Sequence, residues 1–152
     1  MASSRPSPSF RSSAPPPLVS GLAGLKATLL EPENIIEKPW GREEWLSVTK
    51  RYALKKLVLN KGARFSLQYH EAKEESQHLL SGRIRLLLGR KDRPEELEAA
   101  EFLPGETLHI PPGTIHRAEA VEDSVIIEAS TTELLDVVRL KDDYAREGTN
   151  DP

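Results

Sequence analysis

From Glu31 onward the chain is a succession of short apolar or alternating runs: EEWLSV, YALKKLVL, RFSLQYH, SQHLLSG, RIRLLLG, EAAEFL, ETLHI, SVIIEAS and LDVVRL. Runs this short, rich in aliphatic and β-branched residues and divided by turn signals, predict strands, and their spacing predicts an all-β sandwich or barrel. The punctuation falls at NKG (60–62), SG (81–82), GRKDRP (89–94), LPGE (103–106) and PPGT (111–114). In the last of these, Pro112 followed by Gly113 predicts a type II turn, because proline presets φ at the second position and glycine accepts a positive φ at the third. No helical run competes, although residues 93–101 could form one helical turn.

One alternation is inside out. In SLQYH, residues 66–70, Ser66, Gln68 and His70 share one face while Leu67 and Tyr69 share the other. In a two-sheet protein the polar face can point inward only if it lines a cavity. By the same parity Arg64 joins Ser66, Gln68 and His70, so it is expected in that cavity. Lys55 and Lys56 leave opposite faces of their strand, so only one of them can.

Composition narrows the class. At 152 residues, 38% hydrophobic and 30% charged, the chain has the makings of one domain with a real core. No apolar run approaches the roughly 18 residues that a membrane-spanning helix needs. With no cysteine, disulfides and thiolate metal sites are excluded; this fits a reducing compartment, and the expectation is a cytoplasmic protein. Residues 1–30 read as a Ser/Pro-rich disordered arm, with a targeting role as the other option for an acid-free start, and residues 31–152 as the folded domain. The arm holds Arg5, Arg11 and Lys26, so all 24 acidic residues lie in the domain. An acidic domain repels phosphate backbones, which argues against nucleic acid as a partner.

The polar residues fall at telling intervals. Gly62, Gln68, His70, Glu75 and Gly82 follow the spacing G-x5-Q-x-H-x4-E-x6-G; Gly105, Pro111, Gly113 and His116 follow G-x5-P-x-G-x2-H. Imidazole and carboxylate are donors for borderline divalent ions, and an amide oxygen adds a weak neutral donor. These two motifs resemble those of the cupin superfamily, a small jelly-roll barrel with a metal held by residues of both. Gln68 stands where most cupins carry histidine, and Ala120 replaces the usual asparagine. The glutamine, with HIPPGT-x-HR at 109–117, KPWG at 38–41 and DVVRLKDDY at 136–144, resembles the cupin domain of type II mannose-6-phosphate isomerases, often fused to a mannose-1-phosphate guanylyltransferase.

The resemblance implies a single jelly-roll barrel binding one divalent ion through Gln68, His70, Glu75 and His116. Zinc suits this donor set first, followed by manganese, cobalt, iron or nickel. It also implies a homodimer and an aldose–ketose isomerase acting on a small phosphosugar, mannose 6-phosphate to fructose 6-phosphate. For that chemistry Arg64 and Lys55 are candidates to bind substrate, and Arg117 and Lys56 to act at the reacting centre, although alternation turns Arg117 away from His116. The motif positions leave no free carboxylate to serve as base. A non-catalytic sugar-binding cupin and an Fe(II)-dependent oxygenase are the alternatives. His78 and His109 read as structural, and EAKEES and KDRPEELE as solvated loops.

Overall fold

The computed structural model describes residues 26–147. The expectations for the first 25 residues lie outside that range; Lys26–Glu31 are exposed. Among the described residues there are eleven strands, β1 (Asn34–Lys38), β2 (Gly41–Val48), β3 (Ala53–Leu59), β4 (Leu67–Tyr69), β5 (Glu75–Ser81), β6 (Ile84–Arg90), β7 (Arg93–Phe102), β8 (Thr107–Ile110), β9 (Thr114–Ala120), β10 (Ser124–Ser130) and β11 (Val138–Lys141). They form two antiparallel sheets, ordered β1-β2-β3-β10-β5-β8 and β11-β4-β9-β6-β7. No helix of the described residues is long and apolar enough to cross a membrane.

Two expectations are corrected. Residues 93–101 are no helical turn but most of β7, paired with β6 from Ile84↔Phe102 to Arg90↔Arg93. The helix-favouring stretch EELEAAE is overridden by its ladder, since local propensity is a weak prior against pairing to a neighbouring strand. The runs NIIEK and TIHRAEA also form strands, β1 and β9. By contrast, the turn at 111–114 is as expected: Gly113 has φ 79° and the Thr114 N–H donates to Pro111 O at 3.2 Å.

Why a polar face can turn inward is visible in the register of β3, β10 and β5. At one level the inward residues are Leu57, Ile126 and Leu79, all buried and part of the main apolar cluster. One level on, they are Lys55, Glu128 and Gln77; beyond that come Ala53, Ser130 and Glu75. The barrel is therefore filled by hydrocarbon at one end, where Trp40 packs edge-on against Phe65 with ring centroids 4.5 Å apart. At the other end it is lined by charge around a cavity of about 130 Å³. Buried charges are tolerated only when paired or ligating, and this predicts that the polar end is a site.

Candidate metal centre and its cavity

His70, Glu75 and His116 are all buried, and one candidate ligand atom of each lies within 4.8 Å of the others. The two sheets bring them together: Glu75 opens β5, His116 lies on β9 beside Gln68 of β4, and His70 follows β4 directly. The main chain sets the imidazole tautomers. His70 Nδ1 donates to Asp136 O at 2.5 Å, and His116 Nδ1 to Thr114 O at 2.9 Å. A carbonyl oxygen only accepts, so each Nδ1 carries its proton, and the nitrogen left to ligate an ion is Nε2 on both rings. Both Nε2 atoms are buried without a hydrogen bond of acceptable geometry, 3.5 and 3.2 Å from Glu75 Oε1. Three electron-rich atoms facing one another call for a positive charge between them. Main-chain acceptors on the far nitrogen are the usual means of orienting histidine ligands, so these residues fit a divalent ion.

Gln68 also faces the cavity, half-buried, and its Oε1 accepts the Ser66 hydroxyl at 2.5 Å. Burial alone would push the Glu75 carboxyl up. The adjoining His116 and His70 rings and the Lys73 ammonium, 2.7 Å from Oε2, outweigh it and hold Glu75 well below the usual carboxylate range. His116 is shifted the other way: burial disfavours its cation, but Glu75 raises its proton affinity above the ordinary value.

Lys73, Gln77 and Glu128 complete the polar end, and the sequence reading did not single them out. Lys73 lies in the stretch read as a solvated loop, yet it is buried, its ammonium between Glu75 and, at 3.4 Å, Glu128. Glu128 also receives the Gln77 amide at 2.9 Å. Burial, then the negative charge of Glu75, raises the Glu128 carboxyl above its ordinary value despite Lys73 and Lys55. A signal existed for it: in SVIIEAS, Glu128 shares its face with Ile126, so a carboxylate interrupts an inward row. Lys73 gives no comparable signal, because loop residues carry no parity.

The family described as mannose-6-phosphate isomerase C-terminal matches residues 27–142, most of the chain. The chain belongs to this family. A mannose-1-phosphate guanylyltransferase 2 of Escherichia coli O157:H7 is 30% identical over 115 residues, covering 72% of this chain and 22% of that protein. Xanthan biosynthesis protein XanB of Xanthomonas campestris is 26% identical over 116 residues, covering 73% and 23%. The chain thus spans less than a quarter of the length of these curated relatives. Among solved structures, the capsular polysaccharide assembling protein CapF from Staphylococcus aureus superimposes with a TM-score of 0.62 at 17% identity, over 71% of this chain and 31% of that one. Bacillus subtilis oxalate decarboxylase, studied for its Mn(II) centres, gives 0.59 at 22% identity, over 70% and 29%. These likenesses establish the cupin jelly roll.

Within this isomerase-family domain the four cationic candidates separate. Lys55 is buried and lines the cavity, its ammonium 2.6 Å from Glu43 Oε1 and 4.7 Å over the Trp45 ring. Lys56, as the alternate residue, turns outward and lies 3.6 Å from Glu44, so its expected role at the reacting centre is corrected. Arg64 is also corrected. It does not line the cavity but pairs with both oxygens of Asp143 at 2.6 and 2.8 Å on the surface. The parity argument fails because regular strand begins only at Leu67: Arg64 makes an isolated bridge to Glu119, and Phe65 and Ser66 both reach the cavity. Arg117 turns away from His116, as alternation requires. Its guanidinium donates to Phe65 O at 2.9 Å and Lys141 O at 3.1 Å, so it ties β9 to the chain beside β4 and to β11 instead of facing the cavity. His78 and His109 bond Thr107 and Ser76 outside the site.

Proposed function

We propose that this domain is a metal-dependent aldose–ketose isomerase of a phosphorylated hexose, interconverting mannose 6-phosphate and fructose 6-phosphate. The observation that carries this is the buried convergence of His70, Glu75 and His116 in a domain of the mannose-6-phosphate isomerase C-terminal family, with a further buried carboxyl beside it. Zinc is the ion we assign, since two imidazoles and one carboxylate leave an open position typical of its catalytic sites. Held by His70, Glu75 and His116, such an ion would supply Lewis-acid polarisation of the substrate carbonyl.

The remaining chemistry belongs to the chain. Isomerisation moves one proton from C2 to C1 and another from O2 to O1. Glu128 is the group for the first transfer: it is not among the converging ligands, and its raised proton affinity makes it a better base than an exposed carboxylate. Gln77 fixes its orientation through the 2.9 Å amide contact. Lys73 is kept as an ammonium, because Glu128 and Glu75 together outweigh its burial; it is a donor that can hold the substrate oxygens and neutralise charge building on them. Supplying the base within the cavity answers the gap left by the motif positions.

A coupled assay on the zinc-loaded protein tests this. Conversion of mannose 6-phosphate is expected; oxygen uptake with a reduced iron centre and no conversion would identify the oxygenase alternative, and binding of the sugar without conversion a sugar-binding cupin.

A further inference from the structure

A second group of buried charges lines the same cavity and has no part in the proton transfers. Lys38 ends β1, Lys55 lies in β3 and Arg146 follows β11, with side-chain exposures of 8%, 7% and 12%. The two lysines share one carboxylate: Glu43 is 2.6 Å from Lys55 and 3.6 Å from Lys38. Arg146 is held by Asp142, whose two oxygens accept from its Nε and Nη2 at 2.8 and 3.2 Å. Burial depresses the Lys38 ammonium, and the nearby like charges of Lys55 and Arg146 depress it further, with Glu43 offsetting only part. Three separate elements therefore aim cations at one poorly solvated place. Like charges so arranged repel strongly at low dielectric, and an anion between them relieves the cost.

We propose that Lys38, Lys55 and Arg146 form a phosphomonoester subsite, gripping the phosphate of the hexose whose other end meets the metal centre. A phosphomonoester is the fitting anion because it carries nearly two charges and three terminal oxygens. It can accept from two point-charge ammonium groups and lie in the field of the guanidinium at once, whereas a carboxylate has one charge and two oxygens to share. The formal charge of the whole chain is −3, so this local cluster, not the general field, selects an anion. The identity of the rest of the ligand rests on the isomerase reading above; the subsite itself does not.

The test is calorimetric titration of the metal-loaded full chain with mannose 6-phosphate, mannose and inorganic phosphate. Lys38→Met and Lys55→Met, which keep most of the apolar stem, are each expected to weaken mannose 6-phosphate and inorganic phosphate by about tenfold or more. Mannose affinity and metal content should stay unchanged, and Lys38→Arg should retain tight binding. Two substitutions on different strands keep the test decisive should one of them fail to fold. Equal weakening of mannose and its phosphate, unchanged affinities, or a wild-type protein that binds no phosphate would each overturn the subsite. Lysine-dependent binding without turnover leaves the subsite standing and defeats the isomerase reading; turnover indifferent to both substitutions does the reverse.

Discussion

Asp136 holds both the His70 ring and the loop that follows it. Its main-chain oxygen accepts from His70 Nδ1 at 2.5 Å, and its carboxylate receives the N–H groups of Glu71, Ala72 and Lys73 at 3.0, 2.7 and 2.9 Å. One residue thereby fixes the orientation of a candidate ligand and the shape of the loop leading from His70 to Glu75.

Replacing that carboxylate should loosen the loop. Asp136→Ala is expected to reduce zinc affinity by about 10- to 100-fold, the range for lost supporting contacts around a ligand, and to cost about 2 kcal/mol for the broken amide bonds. Burial pushes the Asp136 carboxyl up, but the three amides outweigh it and leave it below its ordinary 3.8. A depressed carboxyl stabilises the fold above its unfolded value and loses that contribution as pH falls through the folded one. Melting temperatures of wild type and Asp136→Ala should therefore differ most at neutral pH and converge below about pH 4. A constant gap across that range would assign the effect to packing.

His70→Ala and His116→Ala should each abolish stoichiometric divalent metal, measured by elemental analysis after chelation and reloading. Each removes a strong donor whose lone pair faces Glu75, whereas Gln68→His exchanges a weak donor for a stronger one and should retain the ion. Retention of metal by both alanine variants would remove the centre from this site.

Glu128→Gln preserves volume but cannot accept a proton from carbon. Turnover of mannose 6-phosphate should fall by about 10²- to 10⁴-fold with metal content unchanged. In the wild type, the acidic limb of the rate profile should lie above the ordinary carboxyl value of 4.5, because burial and Glu75 raise this group. Near-normal turnover in the variant would point to another base.

Gly82 has φ +93°, and a Cβ placed on it would lie 2.2 Å from Ser124 Oγ and 2.5 Å from Asp123 O. Gly82→Ala joins left-handed strain to a backbone clash. It should lower stability by about 2 kcal/mol, or several degrees of melting temperature. Gly105 has the same φ but open space around its would-be Cβ, so Gly105→Ala should cost less; thermal unfolding of the two variants ranks them.

Where strand alternation persists, the sequence was legible. Gln68 and His70 share a face in advance of any structure, and of two adjacent lysines one and only one faces the cavity. Arg64 shows where this stops: it lies three residues before the regular strand, in chain tied to the sheet only by an isolated bridge to Glu119. Lys73 and Asp136 were illegible for a related reason. Both act from loops whose geometry is set by contacts 55 or more residues away in sequence, and nothing local encodes those contacts. Glu128 lay between, readable as a carboxylate on an inward row but without a motif to mark it.

The candidate metal ligands come from both layers of the barrel: Glu75 from the six-stranded sheet, His116 from the five-stranded one, and His70 from the chain just beyond β4. An ion bound by all three would act as a crosslink between the layers, closing a loop of weak forces with three strong bonds. Folding and ligation then become one equilibrium. By mass action the folded state gains about 4 kcal/mol when free ion stands a thousandfold above its dissociation constant. The denaturation midpoint of this domain would thus report the divalent ion activity around it, and a chelator would act as a denaturant.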